Sequence, residues 1–196
     1  MAAYNEARGI FQITGERGRE AWALECLSNL LVRDGQFEEA IGASSLAVQR
    51  YQETHNRYGE GNVLELMGIA EWRIHRIPVP VAIWEEAAAC YAETGDRQDE
   101  AGVLVKLGQG LPRVLRAPEA IPVLERAASI YRETGDLDGE HLASARLRLA
   151  RKSARWQRWL PQLVVRLLSG PPVSWSTVRD QVLGTDRSQH DLGLRR

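Results

Sequence analysis

The sequence predicts an all-α chain, an α-solenoid of antiparallel helix pairs, and three observations predict it. A tyrosine-centred motif returns every 40 residues, the apolar residues between its copies follow helical spacing, and small residues recur at fixed places within each period. The motif reads Tyr51-Gln-Glu-Thr-His, Tyr91-Ala-Glu-Thr-Gly-Asp and Tyr131-Arg-Glu-Thr-Gly-Asp, with Phe11-Gln-Ile-Thr-Gly-Glu one period earlier. Glu20, Glu60, Glu100 and Glu140 share one column, and Arg33, Arg73 and Arg113 share another. Chance does not put several columns into one register.

Each period reads as two helices. In the first, helix A covers residues 17–33, with Leu24, Leu27, Leu30 and Leu31 at helical spacing. Asp34-Gly35 breaks the chain before helix B, residues 37–52. Glu16, Asn56, Asp96 and Asp136 stand where an N-cap is wanted, each with an acid four residues later to suit the positive helix end. Gly15, Gly95 and Gly135 suit the left-handed residue that stops a helix, so His55 in that column is expected to be strained. Pro80, Pro118 and Pro122 are expected in the first turn of B helices, where a missing amide costs nothing. Pro112 falls late in a helix A and is expected to end or kink it.

The pattern resembles the tetratricopeptide repeat in its 40-residue variety, over about residues 1–170. The match rests on Gly68 and Gly108 in helix A, Ala40 and Ala120 opening helix B, Ala47, Ala87 and Ala127 within it, and Leu27, Met67, Leu107 and Leu147 at the large apolar position. Ser28 replaces one glycine, and Arg148, Leu160 and Leu167 occupy small-residue positions of the last repeat, so its two helices are expected to run together. The resemblance implies a right-handed superhelix whose helix-A side chains line a concave, peptide-binding groove. Such 40-residue repeats are similar to those in the C-terminal arms of bacterial NTPase-type regulators and in kinesin-light-chain-like adaptors. The arginine bias, with only Lys106 and Lys152 among 25 basic residues, favours the bacterial comparison.

The register divides the chain into a truncated helix B at 1–10, repeats at 11–50, 51–90 and 91–130, a degenerate capping repeat at 131–170, and a short helix with a frayed tail at 171–196. An array that begins mid-repeat exposes a surface that a further helix A would cover. Either another chain covers it, by self-association for example, or the sequence continues a longer regulator.

Charge is uneven. Residues 1–141 carry 14 basic against 23 acidic residues, and residues 142–196 carry 11 against 3. The opening residues hold no apolar leader, and Arg166 interrupts the longest apolar run, so a cytoplasmic chain is expected. Cys26 and Cys90 match no metal or redox spacing and read as reduced, half-buried helix residues. Neither a phosphate loop, a nucleophile elbow nor a paired-histidine motif occurs, so no enzymatic activity, cofactor or metal is expected. The glutamate column and Arg33, Arg73 and Arg113 are read as helix-end electrostatics.

Mapping the family's inward positions onto this chain implies a partner-binding set of Trp22, Glu25, Asn29, Asn62, Glu65, Ile69, Trp72, Arg73, Val105, Gln109 and Arg113. Trp22 and Trp72 read either as partner anchors or as inter-repeat packing, whereas Trp84 reads as core. Glu25 and Glu65 would favour a protein or peptide with a basic residue between apolar ones. A second surface is the basic aromatic helix at 146–168, where Arg148, Arg151, Arg155 and Arg158 share a face beside Trp156 and Trp159. It reads either as a solvated cap or as a surface for nucleic acid or anionic lipid.

Overall fold

The computed structural model describes residues 6, 9–11, 13–75 and 80–169, with backbone only at residue 75 and at 160–169. Short helical stretches lead into Gly15. Then follow α1 (Arg17–Asp34), α2 (Phe37–Glu53), α3 (Arg57–His75), α4 (Val81–Thr94), α5 (Arg97–Gly110), a 3-10 turn (Leu111–Val114), α6 (Ala117–Thr134) and α7 (Leu137–Ser169). The chain is all-α. Every helix packs against its successor as in an array of hairpins, and α1 also touches α3, and α5 touches α7. The short helix and tail expected at 171–196, and most of the truncated helix B expected at 1–10, lie outside the described residues.

Left-handed residues end the helices where glycine was expected, at Gly15, Gly35, Gly95 and Gly135, with φ between 73° and 82°. Their amides and those that follow close the last turn, as with Gln36 N–H donating to the Leu31 carbonyl at 2.9 Å. His55 takes the same conformation at φ 55°, and Leu115 takes it at φ 61° in the column of Gly35. A Cβ in this region is disfavoured by about 1–2 kcal/mol. His55 is exposed, so its replacement by glycine relieves strain without opening a core. We expect His55→Gly to raise the unfolding free energy by about 1 kcal/mol in urea denaturation.

Two capping expectations hold and two do not. Asn56 Oδ1 accepts from Gly59 N–H at 2.9 Å and Asp136 Oδ1 from Gly139 N–H at 2.8 Å. Glu16 and Asp96 stand at N-caps but their side chains cap nothing. The Asp96 carboxylate is taken by the Thr94 hydroxyl instead. Pro112 does end α5 early, in the 3-10 turn. Pro122 departs from expectation: α6 starts at Ala117, so Pro122 lies inside the helix and denies the Pro118 carbonyl its i→i+4 donor.

Small residues bring the two helices of a pair together. A Cβ at Gly68 would collide with the Trp84 indole, and one at Gly108 with the Leu124 side chain. The first pair solves the same contact differently. Ser28 and Ser44, both fully buried, occupy the columns of Gly68/Gly108 and Trp84/Leu124, and their hydroxyls meet at 2.6 Å. Each pair therefore matches a small residue with a large one, or two small polar ones with each other. The apolar cores run along these contacts, the largest around Trp84, Tyr91, Leu107, Leu124 and Ile130.

The first three members of the glutamate column are buried, which helix-end electrostatics does not require, whereas Glu140 is half-buried. Glu20, Glu60 and Glu100 are 3%, 2% and 0% exposed. Glu20 is held by Arg17 at 2.9 Å and Arg50 at 3.0 Å, Glu60 by Arg57 at 2.6 Å and Gln52 at 2.8 Å, and Glu100 by Arg97 at 3.1 Å and by Arg126. The same arginines reach the end of the following helix, Arg57 to Glu93 at 2.7 Å and Arg97 to Glu133 at 2.9 Å. A charged knot thus closes each hairpin, and it compensates the desolvation of a carboxylate that would otherwise be costly to bury. Arg17/57/97 and Glu53/93/133 are further 40-residue columns.

The last unit runs as one helix. α7 covers 33 residues, where earlier pairs break after about half that length. The turn residues are missing from its middle, and Leu160 and Leu167 replace the small residues that a second packed helix needs.

Cys26 and Cys90 are both free. Cys90 is fully buried, not half-buried, and burial with Glu60 nearby pushes its thiol up to about 11. Native Cys90 is therefore expected to resist Ellman's reagent at pH 8 and to react only on unfolding.

Candidate partner-binding groove

Helices α1, α3, α5 and α7 begin the successive 40-residue units. While α1 approaches α3 and α5 approaches α7, α3 and α5 stay further apart. A cavity of about 310 Å³ opens there, lined by Ile69, Trp72, Arg73, Trp84, Lys106 and Gln109. The Trp72 and Trp84 rings lie 5.3 Å apart at 35°, and the Arg113 guanidinium stacks 4.5 Å over Trp72. Arg113 is thus not simply a helix-end cation; it fixes the tryptophan from above.

Of the residues mapped from the sequence, Ile69, Trp72, Arg73 and Gln109 come together at this cavity, with Arg113 against its aromatic wall. Trp84 was read as core, which its 3% exposure supports, yet its ring also lines the cavity because Gly68 lets it reach between the helices. Lys106 was missed. It sits one residue from the mapped Val105, and Val105 itself is buried, 6% exposed, hence not available to a partner. Trp22 (57% exposed) and Asn29 stand on the open surface of α1, away from the cavity lining.

Glu25, Asn62 and Glu65 form a different object, a polar chain joining five helices. Tyr51 Oη donates to Glu25 at 2.5 Å, Asn62 Nδ2 donates to Glu25 at 3.1 Å, and Tyr91 Oη donates to Asn62 Oδ1 at 2.8 Å and Glu65 at 3.2 Å. Lys106 Nζ then pairs with Glu65 at 2.9 Å. Burial first, and the adjoining carboxylates second, hold the Tyr51 and Tyr91 phenols protonated far above their ordinary range. Both carboxylates are therefore provided for within the chain. Tyr51 and Tyr91 mark the repeat in the sequence, and their hydroxyls tie neighbouring hairpins together.

The basic surface on α7 is exposed at Arg148, Arg151, Arg155 and Arg158. Arg151 is paired with Glu125 at 2.8 Å. Among the described residues no helix is long and apolar enough to cross a membrane, and no cluster of His, Cys, Asp or Glu is built to hold a metal ion. No family model matches this chain, and no curated protein matches it at a significant level.

Proposed function

We propose that the chain is a tetratricopeptide-type scaffold, wound right-handed, that binds a segment of a partner protein across its inner helices and turns nothing over. The observation that carries this reading is the open aromatic cavity between α3 and α5. At about 310 Å³ it sits at the low end of ligand-pocket volumes, roughly 300–1,000 Å³. That is room for one large side chain of a bound segment. Tryptophan walls and a stacked arginine are the composition that anchors binding hot spots.

The partner chemistry follows from the charges left over. Glu25 and Glu65 already have donors, while Arg73 is exposed at the cavity mouth and Arg113 covers Trp72. The segment that fits carries an aromatic or aliphatic side chain for the cavity and an acidic residue beside it, in place of the basic one expected from the sequence. Trp22, exposed on α1, offers a second apolar contact.

Gln109 is half-buried at the cavity wall, so Gln109→Trp places an indole in the space and is expected to keep the fold. In quantitative pull-downs from the native cell, partner recovery is expected to fall about tenfold with Gln109→Trp, while circular dichroism stays the same. Equal recovery by both proteins would remove the cavity from the binding surface.

A further inference from the structure

The face that α7 turns away from the array carries an apolar ridge and a basic stripe side by side. Leu142, Leu149 and Trp156 are 46%, 55% and 42% exposed. Their seven-residue step keeps them near one line along the helix, drifting only about 20° per step. Arg148 and Arg155 each precede a ridge residue by one position and are exposed, and Trp159, 46% exposed, stands between ridge and stripe. On the ridge's other flank Ala143, Ala150 and Ala154 are buried in the array. Whereas Arg17, Arg57 and Arg97 all grip carboxylates, Arg148, Arg155 and Arg158 make no ion pair among the described residues.

We propose that this face docks an amphipathic helix of a partner protein, which lays apolar side chains along Leu142, Leu149 and Trp156 and acidic ones against Arg148 and Arg155. A ridge with a seven-residue step is what a second helix packs into, since its own side chains repeat at nearly that interval. Unpaired cations along one edge select the charge of the helix that lies there, as edge residues do in paired helices. A helix made to lie in a lipid surface carries its apolar line in the middle of its exposed face with cations on both sides. Here one side is occupied by the array itself. A phosphate backbone would use the arginines but would leave the leucines unused. The proposal rests on α7 alone, independent of the cavity between α3 and α5.

The test is selection from a phage-displayed library of heptad peptides with fixed apolar seam positions and Glu, Gln or Lys at the flanking ones, panned on the full chain. Enrichment of Glu is expected. The selected peptide should bind Arg148→Glu/Arg155→Glu about tenfold more weakly, lose binding to Leu149→Asp, and bind Gln109→Trp as it binds the wild type. All the substituted α7 residues are exposed, so circular dichroism should not change. No enrichment, enrichment of Lys or Gln, or equal binding to the charge-reversed variant would overturn the proposal. So would sedimentation of the chain with phosphatidylserine vesicles, or its retention on duplex DNA, lost in the same variant while no peptide is selected. A peptide that binds normally here while Gln109→Trp leaves pull-downs untouched would sink the cavity reading and spare this one.

Discussion

Ser44→Leu should destabilise the chain by about 2–3 kcal/mol, and adding Ser28→Gly should return it to within about 1 kcal/mol of the wild type. Ser44 is fully buried, and its hydroxyl meets that of Ser28 at 2.6 Å. Leucine at 44 drives extra methylenes into a filled contact, an overpacking that costs about 1–3 kcal/mol, and it leaves the Ser28 hydroxyl with only a 3.4 Å contact to the Ala40 carbonyl. Glycine at 28 removes both the obstruction and the stranded hydroxyl, and so reproduces the arrangement of Gly108 against Leu124. The gain from burying leucine offsets the roughly 1 kcal/mol lost to glycine within a helix. Urea unfolding of the two single variants and the double variant measures this directly as a coupling of about 2 kcal/mol. Additive effects would mean that the two sites do not exchange volume.

The second large effect concerns Glu100. Its side chain is buried, with Arg97 at 3.1 Å on one oxygen and the Arg126 guanidinium as ion-pair partner of the other, which makes no hydrogen bond. Arg97→Ala/Arg126→Ala leaves a carboxylate buried without compensation, and a loss of about 3–5 kcal/mol is expected. Glu100→Gln in that background should recover a large part of the loss, because the amide carries no charge to desolvate. Were the column present only to suit helix dipoles, removal of the arginines would cost no more than exposed ion pairs do, about 0–1 kcal/mol, and Gln would restore nothing. Thermal and urea unfolding of the three proteins separates the two explanations.

Local signals made most of the fold legible. The 40-residue period gave the number and order of the helix pairs, and glycine and proline gave their ends, including the early stop at Pro112 and the left-handed His55. Arg148, Leu160 and Leu167 at small-residue positions foretold the fusion of the last two helices into α7. What failed was reading columns one helix at a time. The glutamate column looks like helix-start chemistry within its own helix; only the juxtaposition with the preceding or following helix end makes it a buried knot. Pro122 was misplaced for a smaller reason, since the boundary of α6 rests on Ala117 and on hydrogen bonds that the sequence does not display.

The candidate site was legible in part. Ile69, Trp72, Arg73 and Gln109 belong to the set that the tetratricopeptide resemblance implied, and they line the cavity. Lys106 and the second role of Trp84 were not implied, because they depend on uneven stacking: α3 and α5 stand apart, and an indole from α4 passes Gly68 to fill the space between. Glu25 and Glu65 were read as free acceptors, since a sequence column does not reveal that Tyr51, Tyr91, Asn62 and Lys106 converge on them.

Photo-crosslinking addresses the binding surface most directly. With p-benzoylphenylalanine at position 109, beside the cavity, irradiation of the native cell is expected to give a discrete higher-mass adduct that Arg73→Glu weakens. The same probe at Glu86, exposed on α4 and outside the cavity lining, is expected to give none. An adduct at 86 of equal yield, with none at 109, would contradict binding across the inner helices.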